Sequence, residues 1–279
     1  MIDGLPRRGS PVRTLEVPVP PDPMPGWRGT RPLKRWRYVG AYSDALMVCA
    51  GEAHVGPLPQ RFWAVAEPGG RPVLERTSIG RGGVRIEGSR VRVEARGVEI
   101  DLAFDEDAGV ESVHPSGRDG YVWTRKQAGV PVRGSVRLGE RTVALDCLGV
   151  VDDTAGYHER HTRWRWSAGV GTGAGGERIG WNLVTGVNDS TRESERAVWV
   201  DGEAWEPPPV TFADDLSRVS FDGGGALDFS EWSAREDRTN VLLVRSSYRQ
   251  PFGEFSGEFP GGLQLVRGFG VMEVHDVHW

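Results

Sequence analysis

Apolar and polar residues alternate in short runs along most of this chain, and a period of two is the mark of a strand with one buried face. Val91-Arg92-Val93-Glu94-Ala95-Arg96 shows the alternation plainly. The same pattern predicts strands at Arg35–Tyr42, Leu46–Ala53, Arg61–Ala66, Val98–Phe104, Val130–Leu138, Val143–Leu145, Arg178–Val187, Ala197–Val200, Asn240–Tyr248 and Leu263–Val274. Asp119-Gly120, Asp201-Gly202 and Asp222-Gly223 supply turns, because glycine accepts positive φ. No long, capped amphipathic helix is present. Short helices are expected only near Asp105–Ala108, Asp214–Leu216 or Ser230–Glu236. The elements add up to an all-β barrel or sandwich.

The richest stretch is Tyr157–Trp166. Read as a strand, it places His158, Arg160, Thr162, Trp164 and Trp166 on one face, and Tyr157, Glu159, His161, Arg163 and Arg165 on the other. Two indoles, an arginine and a histidine on one face suit a lined barrel interior, where broad rings give apolar contact and a few polar groups orient a ligand. A faint repeat accompanies it. Arg35-Trp36-Arg37-Tyr38 resembles Arg163-Trp164-Arg165-Trp166 at an offset of 128 residues, close to half the chain. Two tandem barrels follow: an extended arm over residues 1–30, a first barrel over 31–148 and a second over 149–279, with the change around Gly149–Thr154. One large β-sandwich is the alternative.

Composition narrows the class. The net charge of −5 gives no reason to expect nucleic acid, and the basic residues are almost all arginine; the lysines are Lys34 and Lys126. No apolar run approaches the roughly 20 residues of a membrane helix. Met1–Pro25 carries charge and proline without an apolar core segment, so a secretory signal is not expected. Cys49 and Cys147 stand far apart and read as free thiols in a reducing, cytoplasmic setting.

Several segments together resemble a known pattern: Trp123-Thr124-Arg125-Lys126-Gln127, Asp152, Gly156–Trp166, Gly180-Trp181-Asn182-Leu183, Arg245–Gly253 and Gly270–Trp279. The chain is similar to a conserved-domain family of unassigned activity. That resemblance implies a calycin-type, lipocalin-like double β-barrel, with more distant similarity to carotenoid hydratases, tocopherol cyclases and fungal cyclisation enzymes. It transfers no catalytic residue.

The candidate site is read from the residues. Trp164 and Trp166 offer ligand contact or core packing, and Arg160 beside them needs a carboxylate, a carbonyl or a ligand oxygen. Trp123, Asn182, Arg245, Tyr248 and Gln250 are further ligand-binding candidates, the last two sharing one strand face. Asp152, His158 and Glu273 are the catalytic candidates: a buried protonated acid could donate to an alkene while rings stabilise the cation. Pairing of these acids with arginine is the competing expectation. Glu195 is a similar acid, and Glu273 shares a face with His275. No metal is expected, because His158/His161 and His275/His278 are three apart and project oppositely. The glycine-rich run Gly169–Gly176 lacks the ending of a phosphate loop. The resulting expectation is binding of a hydrophobic, lipid- or isoprenoid-like small molecule, without a cofactor. The alternative is a hydratase, isomerase or cyclase acting on such a molecule by acid catalysis.

Overall fold

Two large antiparallel sheets, each curled into a half-barrel, account for nearly the whole chain. The computed structural model describes residues 4–55, 59–80, 82–241 and 244–279. The first sheet runs Leu74–Ile79, Pro59–Ala66, Met47–Val55, Lys34–Tyr42, Arg141–Gly156, Gly120–Leu138, Val98–Phe104, Arg90–Ala95, Val84–Glu87. Val110–Ser116 adds to it beside Gly120–Leu138, and Arg7–Arg8 pairs with Val110–Ser116 in turn. The second sheet runs Glu203–Trp205, Ala197–Val200, Arg178–Thr185, His161–Gly173, Leu263–His278, Val244–Phe259, Ala226–Val241, Arg218–Phe221, Val210–Phe212. Leaving the two added strands aside, each sheet has the same order: its first strand in sequence lies centrally, beside its last.

Alternation decides which side of each strand is buried against what. In Lys34–Tyr42, Val39 and Ala41 join an apolar core made only of first-sheet residues, with Leu102, Phe104 and Val132. The second sheet encloses its own core of Trp181, Leu183, Phe255, Phe259 and Met272. The opposite faces of the central strands meet each other. Tyr38, Tyr42, Met47 and Val150 of the first sheet pack with Trp166, Ala168, Trp199 and Val271 of the second. This seam, rather than the inside of either half-barrel, is where the Trp164/Trp166 face points.

Other expectations shift in the same way. Ser230–Glu236 is not helical but lies inside the strand Ala226–Val241. Asp105–Ala108 and Asp214–Leu216 form no helix either; among the described residues the single helix is a 3-10 turn at Ser10–Thr14 in the arm. Asn240–Tyr248 straddles two strands, and residues 242 and 243 lie outside the described residues. Gly149–Thr154 sits within the strand Arg141–Gly156, so the chain changes sheet at Tyr157–Arg160. The arm packs Val12 and Val19 on Val113, Tyr121, Trp123 and Tyr157. The Tyr121 and Tyr157 hydroxyls anchor it by donating to the carbonyls of Pro18 (2.6 Å) and Pro25 (2.7 Å). Cys49 and Cys147 are free thiols.

Candidate functional site

At the seam the two first strands face one another with the residues of the sequence repeat. Trp36 lies nearly parallel to Trp164, centroids 6.4 Å apart, and Tyr38 meets Trp166 edge-on at 5.4 Å. The row of rings extends in both directions. His158 stacks on Trp36 at 4.9 Å, Trp164 leans on His275 at 4.4 Å, and His275 meets Tyr248 at 5.1 Å. Trp36, Trp164 and Tyr248 are half-buried, which gives the row a side open to solvent.

Glu273 stands on the last strand, directly across from Trp166. Its Oε1 accepts from Trp164 Nε1 at 2.7 Å, and its Oε2 accepts from Gln250 Nε2 at 2.9 Å and the Tyr248 hydroxyl at 3.1 Å. Among the described residues no cation stands within ion-pair distance of it. Burial opposes the charged form and outweighs the donors, and the charge of Asp152 adds to burial, so the acid is pushed up to about 7. A carboxyl group poised near neutrality and ringed by aromatics can give up a proton and take one back.

Asp152 occupies the matching place in the first sheet, directly across from Tyr38. There the chemistry differs. Lys126, across from it on the next strand, contacts Asp152 Oδ2 at 2.6 Å and Glu195 Oε1 at 3.5 Å. Thr154 donates to Asp152 at 3.1 Å, and Asn188 donates to Glu195 at 2.8 Å. Burial pulls Lys126 down, but the two carboxylates more than offset it and hold the ammonium charged. Burial raises Glu195. His158 is buried and neutral, pushed down to about 3 by burial and by Lys34 and Lys126, and its Nε2 has no hydrogen-bond partner.

The fold therefore brings Asp152, His158, Glu273, Trp164, Trp166, Tyr248 and Gln250 to one seam. Asn182 is there too, but its Oδ1 accepts from Trp166 Nε1 at 2.8 Å and its Nδ2 donates to the Glu195 carbonyl at 2.9 Å, a pinning role. Three candidates lie elsewhere. Arg160 is exposed in the connector, because the strand starts only at His161 and the alternation does not extend back to it. Arg245 is exposed and lines, with Arg163, Arg238 and Arg249, an open cleft of about 500 Å³ at the mouth of the second half-barrel. Trp123 faces the arm and donates to Glu111 at 3.3 Å. Residues that the pattern did not single out as site members are Lys34, Trp36, Lys126, Arg235 and Trp279. Two signals were available: Trp36 is the repeat partner of Trp164, and Lys34 and Lys126 are the chain's two lysines.

Cross-strand register also changes the histidine picture. His161 pairs with His278 across the sheet, rings stacked at 3.9 Å, and His161 Nε2 is 2.9 Å from Asp276 Oδ1. Among the described residues these three could hold a metal ion. They are surface groups, and Arg163 at 3.9 Å already offsets the Asp276 charge.

Fold and seam together define a two-half-barrel, all-β protein with a polar and aromatic centre between its sheets. Residues 71–279 match DUF2804, a domain of unknown function, and the chain belongs to that family. Kievitone hydratase from Nectria haematococca has a similar fold: TM-score 0.55, 13% identity, covering 86% of this chain and 88% of that one. A protein from Nitrosomonas europaea provisionally designated AttH also has a TM-score of 0.55, with 12% identity and coverage of 93% and 99%. No curated protein sequence matches. Among the described residues no helix is long and apolar enough to cross a membrane.

Proposed function

We propose that the protein binds a small, largely apolar molecule along the aromatic seam and acts on it by acid catalysis at Glu273, adding water across a carbon–carbon double bond. The observation that carries this reading is Glu273 itself: a buried carboxyl near neutrality, held by three donors and, among the described residues, paired with no cation. Its proton goes to one alkene carbon. The face of Trp164 stabilises the positive charge left on the other. Water attacks that carbon, and the Glu273 carboxylate takes the proton water loses. The sum is addition of one water, with no oxidant or reductant. His158, held neutral far below its usual range, serves as a polar wall rather than a proton carrier. A fold shared with a protein named a hydratase supports the reaction class.

Incubating the purified protein with prenylated phenols and polyene hydrocarbons in ¹⁸O-water tests the reading by mass spectrometry. The expected result is a product carrying one labelled water, formed by wild type and lost by at least about 100-fold in Glu273→Gln. Turnover should fall as pH rises through about 7, where the acid loses its proton. Labelled product formed equally by Glu273→Gln would remove the acid from the reaction.

A further inference from the structure

The chain's two lysines, Lys34 and Lys126, are both buried at this seam, yet they are treated differently. Lys126 holds two carboxylates. Lys34, 1% exposed, meets no carboxylate and no hydrogen-bond acceptor among the described residues. Its ammonium lies over the ring of Trp279, 4.3 Å from the centroid. Trp279 is itself pinned, donating Nε1 to Thr162 Oγ1 at 3.3 Å and its backbone N–H to the Arg160 carbonyl at 2.8 Å. Burial and the nearby Arg31 push Lys34 down to about 8, which still leaves most of it charged at neutral pH. A cation largely withdrawn from water and given an aromatic face but no carboxylate is under-compensated, since charged groups in interiors are otherwise paired.

His158 stands beside the same place with an unmet group of its own. It is 5% exposed, its Nε2 has no partner, and the charge of Lys34 acts on it directly. His158 also begins the ring row that ends at Tyr248 and Glu273. The row thus has a buried acid at one end and, at the other, an unpartnered imidazole nitrogen beside a cation that has no carboxylate among the described residues.

We propose that Lys34 and His158 Nε2 form a receptor for an anionic oxygen, a carboxylate, on the small molecule whose apolar body lies along Trp36 and Trp164. Lys34 supplies the charge, and His158 in its Nε2–H tautomer donates the second hydrogen bond. Trp279, half-buried, closes the outer side. The inference rests on the binding reading above and narrows it: the ligand is amphipathic, with its acid end remote from Glu273.

Equilibrium dialysis with matched acid and amide pairs tests it: cinnamate and cinnamamide, 2-naphthoate and 2-naphthamide, retinoate and retinamide. Wild type should bind at least one acid about tenfold more tightly than its amide, the scale of one charge-assisted contact. Lys34→Arg should keep that preference. Lys34→Met should lose it while holding the amide within about threefold. Equal binding of acid and amide by wild type overturns the receptor and leaves apolar binding standing. So does an acid preference that survives in Lys34→Met. Failure of every acid and every amide to bind overturns the ligand reading itself, and the receptor with it. Should Lys34→Met not fold, the wild-type comparison decides alone.

Discussion

Glu273 is subject to two opposed influences of similar size. Three donors favour the carboxylate, each charge-assisted contact contributing about 1.5–3 kcal/mol, and burial favours the acid. Because its folded value is raised from 4.5 to about 7, the folded state holds a proton that the unfolded chain releases across that window. The stability that Glu273 contributes is therefore full below pH 4.5 and declines as pH rises through about 7, by about 3 kcal/mol in all. Glu273→Gln copies the neutral acid, so its melting temperature should rise relative to wild type between those limits and stay level outside them. Parallel melting profiles for the two proteins would contradict this balance. Trp164→Phe removes one donor and should move the Glu273 midpoint upward by about one to two units, read by NMR titration or a pH–rate profile. The histidines oppose Glu273. Burial pushes His114 and His275 down to about 4 and His158 to about 3, so each withdraws stability as pH falls below its usual 6.5. Acid unfolding in Glu273→Gln should retain that limb unchanged.

At the scale of elements, the repeat explains why the site has two dissimilar poles. Trp36/Trp164 and Tyr38/Trp166 are equivalent positions on equivalent strands, and the residues paired with Tyr38 and Trp166 are Asp152 and Glu273. The neighbouring strand offers Lys126 to the first acid and Gln250 to the second. One copy is a closed ion pair, the other a near-neutral acid without a cation among the described residues. Strand existence was legible from alternation alone: Val98–Phe104 and Ala197–Val200 match the observed limits. Helical guesses failed at Ser230–Glu236 because polar residues on an outer strand carry no period that separates the two states. Sheet contact itself depends on a small residue. A Cβ on Gly180 would stand 2.7 Å from the Ala128 carbonyl carbon and 2.8 Å from its Cβ, on the other sheet. Gly180→Val should cost about 2–4 kcal/mol in urea denaturation by forcing the sheets apart. A loss below about 0.5 kcal/mol would show that the seam yields easily.

Over the whole molecule, the seam is core for both halves at once. Tyr38, Met47 and Val150 are buried by Trp166, Trp199 and Val271, so neither half covers its own outer face. Arg235 adds a polar tie, donating to Glu75 at 2.9 Å and lying over Phe62 of the other sheet. Unfolding should thus be one cooperative transition, with far-UV dichroism, near-UV dichroism and tryptophan fluorescence tracing coincident urea curves. Residues 161–279 expressed alone should lack sharp near-UV signals and bind a hydrophobic dye, because the exposed seam has no partner. Two resolved transitions would mean that each half-barrel is self-sufficient.

Alternation, turn chemistry and the Trp36/Trp164 echo were enough, without coordinates, to indicate strands, their duplication and the residue types of a candidate site, since these depend on local periodicity. What local periodicity does not carry is which of two buried faces meets which neighbour. Only packing decided that Trp164 looks across to the other sheet, that Arg160, Arg245 and Trp123 stand apart from it, and that Lys126 rather than an arginine takes Asp152. Partners far apart in sequence become neighbours through register and curvature, and the charge state of Glu273 follows from that company, not from its place in the chain.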